Sequence, residues 1–227
     1  MRRREDPPRR VKRNGFLEFG QVRKLADALA APPRPTRHAA REHPEFGLLV
    51  RFAALTGLRA GEIAALRVAR LDVRGRRVEV SEAASEPHGE LVYGPTKTYE
   101  RRTVPIPGAL AAELAEHLVG RPADSAAFVF CAPDGGPLRH SSFYRRHFKP
   151  AVTRAGLPAR TRFHDLRHSY AALLIAEGAP ALAVMKRLGH SSITVTMNTY
   201  GHLFPALEEA LTDRLDVAYR NETGTTR

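Results

Sequence analysis

Four short stretches of this sequence hold residue types that can act on an anion. Thr56-Gly57-Leu58-Arg59-Ala60-Gly61-Glu62 sets an arginine between two helical patterns, and His164-Asp165-Leu166-Arg167-His168 opens another. Leu188-Gly189-His190-Ser191-Ser192 and Thr199-Tyr200-Gly201-His202 follow downstream. On a helix, His164 and Arg167 sit three apart and share a face, so a proton acceptor and a fixed cation point at one place. A helix N-terminus beneath them adds its own pull on an anion. Each residue also has a plainer reading. Arg59 taken alone reads as a cap on helix carbonyls, and His190 as a helix-start residue. His164 and His168 stand at the i, i+4 spacing of a metal pair, but no carboxylate or cysteine lies at the spacing of a zinc motif. No metal site is expected, and His168 is expected to pack or hydrogen-bond beneath the site.

Those residues need a scaffold, and its pattern is mostly helical. Helical periodicity covers about 18–30, 45–56 and 60–68, then 108–119, 140–155, 164–177, 180–188, 191–199 and 205–219. Gly57, Gly178 and Gly189 read as helix terminators, and Thr161 and Ser191 as N-caps. Between Leu71 and Pro107, Val73, Val78, Val80, Leu91, Val92, Val104 and Ile106 recur at strand-like spacing. The expected fold class is α+β, mainly helical, with a small antiparallel β-sheet inserted after the first helices. Tyr170, in Ser-Tyr-Ala-Ala-Leu-Leu, reads as core, and Tyr219 as packing or exposed.

Composition narrows the partners. Of the 227 residues, 36 are Lys or Arg against 24 Asp or Glu, a formal charge of +12 that attracts polyanions. A GC-rich genome explains arginine over lysine but not the surplus of bases over acids. An apolar content of 43% fills a real core and argues against global disorder. The single cysteine, Cys131, excludes a disulfide framework, and its apolar surroundings suggest a small buried hydrophobe. No apolar run approaches a membrane span and no secretory signal opens the chain, so a cytoplasmic protein, nucleoid-associated when on DNA, is expected.

The order of these motifs is specific where each alone is weak. TGLRAGE, a lysine in the turn Gly94-Pro95-Thr96-Lys97-Thr98, HDLRH, LGHSS and a tyrosine ten residues after His190 together resemble the tyrosine recombinase (phage integrase) family. The resemblance runs from about Gly15 to beyond Tyr200. It implies a catalytic domain that cuts and rejoins DNA through a 3′-phosphotyrosyl link, with no cofactor. It further implies that Arg59 and Arg167 grip the non-bridging oxygens of the scissile phosphate, as planar, permanently charged guanidinium groups can. Tyr200 is then the nucleophile and His164 its proton acceptor, which a phenol with an ordinary pKa near 10 requires. Lys97 protonates the leaving 5′-oxygen, His190 hydrogen-bonds the phosphate, and Glu62 orients its neighbours.

The implied partners are double-stranded DNA and further copies of the chain in a tetrameric synapse. The apolar stripe Phe204, Leu207, Ala210, Leu211, Leu215 and Val217 either serves that assembly or folds back on its own core. Residues 1–14, with seven Arg or Lys, read as a basic arm, 15–220 as the catalytic domain, and 221–227 as a disordered tail. Family members normally carry a helical DNA-clamping domain first, so a fragment or a naturally short form is expected. Three other readings compete: a decayed, DNA-binding integrase remnant, a type IB topoisomerase-like strand transferase, and a helix-turn-helix regulator. The intact set of six residues argues against the first, and LGHSS against the second. Paired arginines have no purpose in the third.

Overall fold

A computed structural model describes residues 15–31, 43–96, 101–119, 126–204 and 207–223. The expected arm over 1–14 and the Lys97 assignment lie outside the described residues.

The chain enters through helix α1 (Phe19–Ala30), whose buried Val22, Leu25, Ala26 and Leu29 repeat at helical spacing and form one apolar stripe. The stripe packs on α2 (Pro44–Thr56), which is apolar on nearly every side and buries Phe46, Leu49, Val50, Phe52 and Ala53. Pro44 suits the first turn of α2, where its missing N–H has no intrahelical partner to lose. Gly57 ends the helix at φ 66°, a left-handed conformation in which any Cβ would also overlap the Tyr170 ring.

The next helix, α3 (Ala60–Ala64), is shorter than the expected 60–68. Its continuation is diverted into pairing with a distant segment: Val129 N–H donates to the Leu66 carbonyl at 2.9 Å, and Val68 N–H to Ala127 at 2.8 Å. Tertiary hydrogen bonds here replace helical ones. A 3-10 turn, Val68–Arg70, leads into strands β1 (Leu71–Asp72), β2 (Arg77–Val80), β3 (Glu82–Ser85), β4 (Val92–Pro95) and β5 (Arg102–Pro105). Instead of one sheet, they form an antiparallel three-stranded sheet in the order β1-β2-β5 and a separate β3-β4 hairpin.

Helix α4 (Gly108–Leu118) packs on α2, joined by the Arg51–Glu113 ion pair at 2.5 Å. The expected helix over 140–155 is nearly continuous but not regular. It runs from α5 (His140–Phe143) through one wide turn, Tyr144–Phe148, into α6 (Lys149–Arg154). Lys149 N–H reaches back five residues to the Tyr144 carbonyl, and Pro150, lacking an N–H, cannot close a regular turn there. Cys131 is half-buried, bridged antiparallel to Pro137, rather than fully enclosed.

Helices α7 (His164–Ala176), α8 (Ala181–Leu188), α9 (Ile193–Tyr200) and α10 (Leu207–Thr223) complete the chain. Neither expected N-cap serves. At α7 the Asp165 carboxylate accepts from the Arg162 N–H at 2.8 Å instead of Thr161 capping the helix, and Ser192 rather than Ser191 precedes α9. Gly178 and Gly189, at φ 78° and 62°, end their helices as expected.

Helix α7 joins two apolar clusters. Leu166 belongs to the main core, whereas Tyr170, Ala171 and Ile175 pack with Val184, Leu188 and Tyr200 in a smaller one. The start of α7 is thereby fixed against both.

Candidate active site

Arg59 follows the left-handed Gly57 and precedes α3, so it lies where two helices meet at a sharp corner. Its backbone N–H donates to Glu62 Oε2 at 2.8 Å, and its guanidinium to Glu62 Oε1 at 2.9 Å. A third group joins them. Arg102, on β5, donates to both Glu62 oxygens, at 2.9 and 2.7 Å. Burial alone would raise the Glu62 pKa, but the hydrogen bonds and charge of Arg102, with those of Arg59, hold it below the ordinary value.

Arg167 is buried, and donates to the Gly57 carbonyl at 2.6 Å and to the Leu188 carbonyl at 2.5 Å. Desolvation, then repulsion from Arg59, pulls its pKa down to about 9, which still leaves a cation at neutral pH. The end of α8 ties the arginines together. Arg102 donates to the Arg187 carbonyl at 3.4 Å, Arg167 to Leu188, and Arg59 to Gly189 at 3.2 Å. A helix C-terminus leaves its last carbonyls without intrahelical donors and carries partial negative charge, so three guanidiniums suit it chemically and electrostatically.

Tyr200, the last residue of α9, is 1% exposed. Its hydroxyl lies 2.8 Å from His168 Nδ1, and the His190 ring stacks parallel to it at 6.4 Å between centroids. Burial pushes the Tyr200 phenol up to about 12, with Arg167 opposing. His190 is held by Thr196 Oγ1 at 2.9 Å. Desolvation and then nearby arginines, Arg167 first, pull His190 down to about 4. Desolvation likewise lowers His164 and His168, with cations adding to it at both rings. All three imidazoles are therefore neutral at pH 7 and can accept a proton.

The structure thus gathers Arg59, Glu62, His164, Arg167, His168, His190 and Tyr200 around one point. It places His168, not His164, on the Tyr200 hydroxyl; His164 lies edge-on to His168 at 4.8 Å and faces solvent. One side chain escaped the sequence reading, Arg102. The signal was present, since Arg102 and Val104 alternate onto one face of β5, and Val104 is fully buried. No group of three or more His, Cys, Asp or Glu gathers as metal ligands among the described residues. Nor is any helix among them long and apolar enough to cross a membrane.

Comparison with known proteins gives this geometry a context. The pattern of the phage integrase family matches residues 15–206. A tyrosine recombinase XerC-like protein of Caldanaerobacter subterraneus is 30% identical over 172 residues, covering 66% of this chain and 44% of that protein. The ICEBs1 integrase of Bacillus subtilis is 33% identical, covering 72% of this chain and 46% of its own length. The chain thus spans less than half of either curated relative. Among solved structures, the Tn1549 transposon integrase in complex with a circular intermediate DNA superposes with a TM-score of 0.72 at 21% identity. That match covers 93% of this chain and 67% of that one, and shows a shared fold.

Proposed function

The chain belongs to the phage integrase family, and from that premise we propose that it forms the catalytic part of a site-specific DNA recombinase. The observation that carries this reading is the buried Tyr200 hydroxyl, hydrogen-bonded to His168 and set beside the guanidinium of Arg167. In the proposed reaction the Tyr200 oxygen attacks the scissile phosphorus. The bond to the 5′-oxygen breaks, leaving a 3′-phosphotyrosine and a free 5′-hydroxyl. Arg59 and Arg167 neutralise the charge that builds on the non-bridging oxygens, and His190 helps place them. The phenolic proton passes to the imidazole pair: His168 holds the hydroxyl in line, and His164 keeps the acceptor's part that the resemblance gives it. Lys97, which lies outside the described residues, is proposed to protonate the leaving oxygen. One ester replaces another, so religation by the 5′-hydroxyl needs neither ATP nor metal.

We assign this activity to residues 15–220, with 1–14 as a basic arm and 221–227 as a tail, although α10 runs on to Thr223. The proposed partner is double-stranded DNA, drawn by the +12 charge, and the proposed compartment is the cytoplasm. Self-association on DNA, as a tetrameric synapse, is assigned to α10. Its Leu215, Val217 and Tyr219 are exposed, at 68%, 58% and 68%, which supports a partner surface along the end of the helix, whereas Phe204, where the stripe begins, packs back on the cluster that holds Tyr200.

The direct test is a nicked suicide duplex, whose cleaved strand loses a short fragment and cannot religate. Wild-type protein is expected to give a denaturant-resistant protein–DNA band that Tyr200→Phe and Arg167→Ala lack. A band persisting in Tyr200→Phe moves the nucleophile elsewhere, and no band on any candidate site leaves two readings, a catalytic domain that needs its clamping domain or a DNA-binding remnant.

A further inference from the structure

Strand β5 places Arg102 on the face that buries Val104, a costly position for a charge unless a partner waits there. The partner is Glu62, whose side chain is 1% exposed and whose two oxygens both accept from the Arg102 guanidinium. Arg102 itself is 10% exposed at its side chain, against 27% for Arg59. The deeper arginine therefore takes the carboxylate squarely, while the shallower one shares a single oxygen and keeps an outward aspect.

The backbone accommodates this arrangement. A Cβ on Gly189 would lie 2.9, 3.0 and 3.1 Å from Cδ, Nε and Cζ of Arg102. The residue before His190 is thus a glycine both for its φ of 62° and for the passage of this side chain.

We propose, resting on the recombinase reading above, that Arg102 is a positioning residue for the phosphate site. It satisfies the Glu62 carboxylate so that the Arg59 guanidinium stays directed at the phosphate. Without Arg102, a buried carboxylate has Arg59 as its strong partner. The pair then closes on itself, and Arg59 offers the phosphate less charge and a displaced fork. Arg102 touches no reacting atom in this scheme, and acts through Glu62 and the end of α8.

The test compares two suicide duplexes, one with the natural phosphodiester and one with a methylphosphonate at the scissile position. The methylphosphonate carries no charge on its non-bridging atoms, so it places little demand on Arg59, and Arg59→Ala calibrates the difference. Arg102→Met is expected to slow Tyr200–DNA linkage on the phosphodiester by on the order of 10–100-fold, while matching wild type on the methylphosphonate. Glu62→Gln in the Arg102→Met background should restore part of the rate, because no unpaired carboxylate is left. Equal losses on both duplexes would mean that Arg102 merely supports the fold, and would overturn the proposal.

If Arg102→Met does not fold, Arg102→Lys serves, since an ammonium keeps the charge but cannot span two oxygens. If wild type links to neither duplex, the recombinase reading fails separately. The DNA-free arginine Nε–H spectrum then decides on Arg102. The Arg59 resonance should shift in Arg102→Met and stay in place in Arg101→Met, whose side chain is 73% exposed. An unmoved Arg59 resonance in Arg102→Met overturns the positioning role.

Discussion

At the scale of the residue, the site depends on keeping neutral groups neutral and cations together. Tyr200 is buried and its phenol is pushed up to about 12, so free ionisation supplies almost no nucleophile near pH 7. In the proposed reaction a neutral imidazole must therefore take that proton, and His168, 2.8 Å away, holds the hydroxyl toward the His164–His168 pair. The same depressed imidazoles make the fold sensitive to acid. His190 has its pKa lowered from 6.5 to about 4 in the folded protein. Between those values the unfolded chain binds more protons, so stability present above pH 6.5 is lost as pH falls toward 4. Thermal unfolding followed from pH 7 downward should show a falling midpoint, with a shallower slope in His190→Gln. Parallel slopes for the two proteins would remove His190 from this account.

At the scale of the element, short helices and two glycines set where the cations stand. Helix α3 has only five residues, too few to persist alone, so it is held by its contact with β3 and by the ends of its neighbours. At Gly61 a Cβ would overlap the Ala84 carbonyl of β3. Gly61→Ala must therefore push the hairpin and α3 apart and displace Arg59 and Glu62 together. The expected outcome is a loss of DNA linkage larger than the loss of stability, read by suicide-substrate rate beside thermal unfolding. Gly189→Ala should cost roughly 1–3 kcal/mol in denaturant titration, because a left-handed φ is imposed on a residue with a side chain. A Gly189→Ala protein as stable as wild type would mean that Arg102 and the turn can relax freely.

At the scale of the whole molecule, the proposed association rests on charge and on the last helix. With double-stranded DNA as the proposed partner, a surplus of +12 acts largely on phosphates, so affinity should fall steeply with salt. If about six phosphates are contacted, the loss is roughly 10³-fold between about 50 and 200 mM salt. A nearly flat salt dependence in a gel-shift titration would contradict this phosphate-led binding. Truncating α10 after Arg214 should leave the thermal midpoint unchanged, because Leu215, Val217 and Tyr219 already face solvent. It should reduce the number of protomers bound per DNA in analytical ultracentrifugation.

The sequence by itself determined the mainly helical class, the glycine terminators at 57, 178 and 189, and seven of the eight side chains that meet at the candidate site. Arg59, Glu62, His164, Arg167, His168, His190 and Tyr200 sit in motifs whose spacing is local, and helix geometry carries local spacing directly. Only tertiary structure decided the rest. The truncation of α3 follows from pairing with a segment some sixty residues away, and the wide turn near Pro150 from how α5 and α6 must join. Two partnerships were likewise invisible to local periodicity. Arg102 meets Glu62 across 40 residues, and His168 meets Tyr200 across 32. Side chains that far apart in sequence become neighbours only when packing fixes both of their elements, and no local period records which pair will meet.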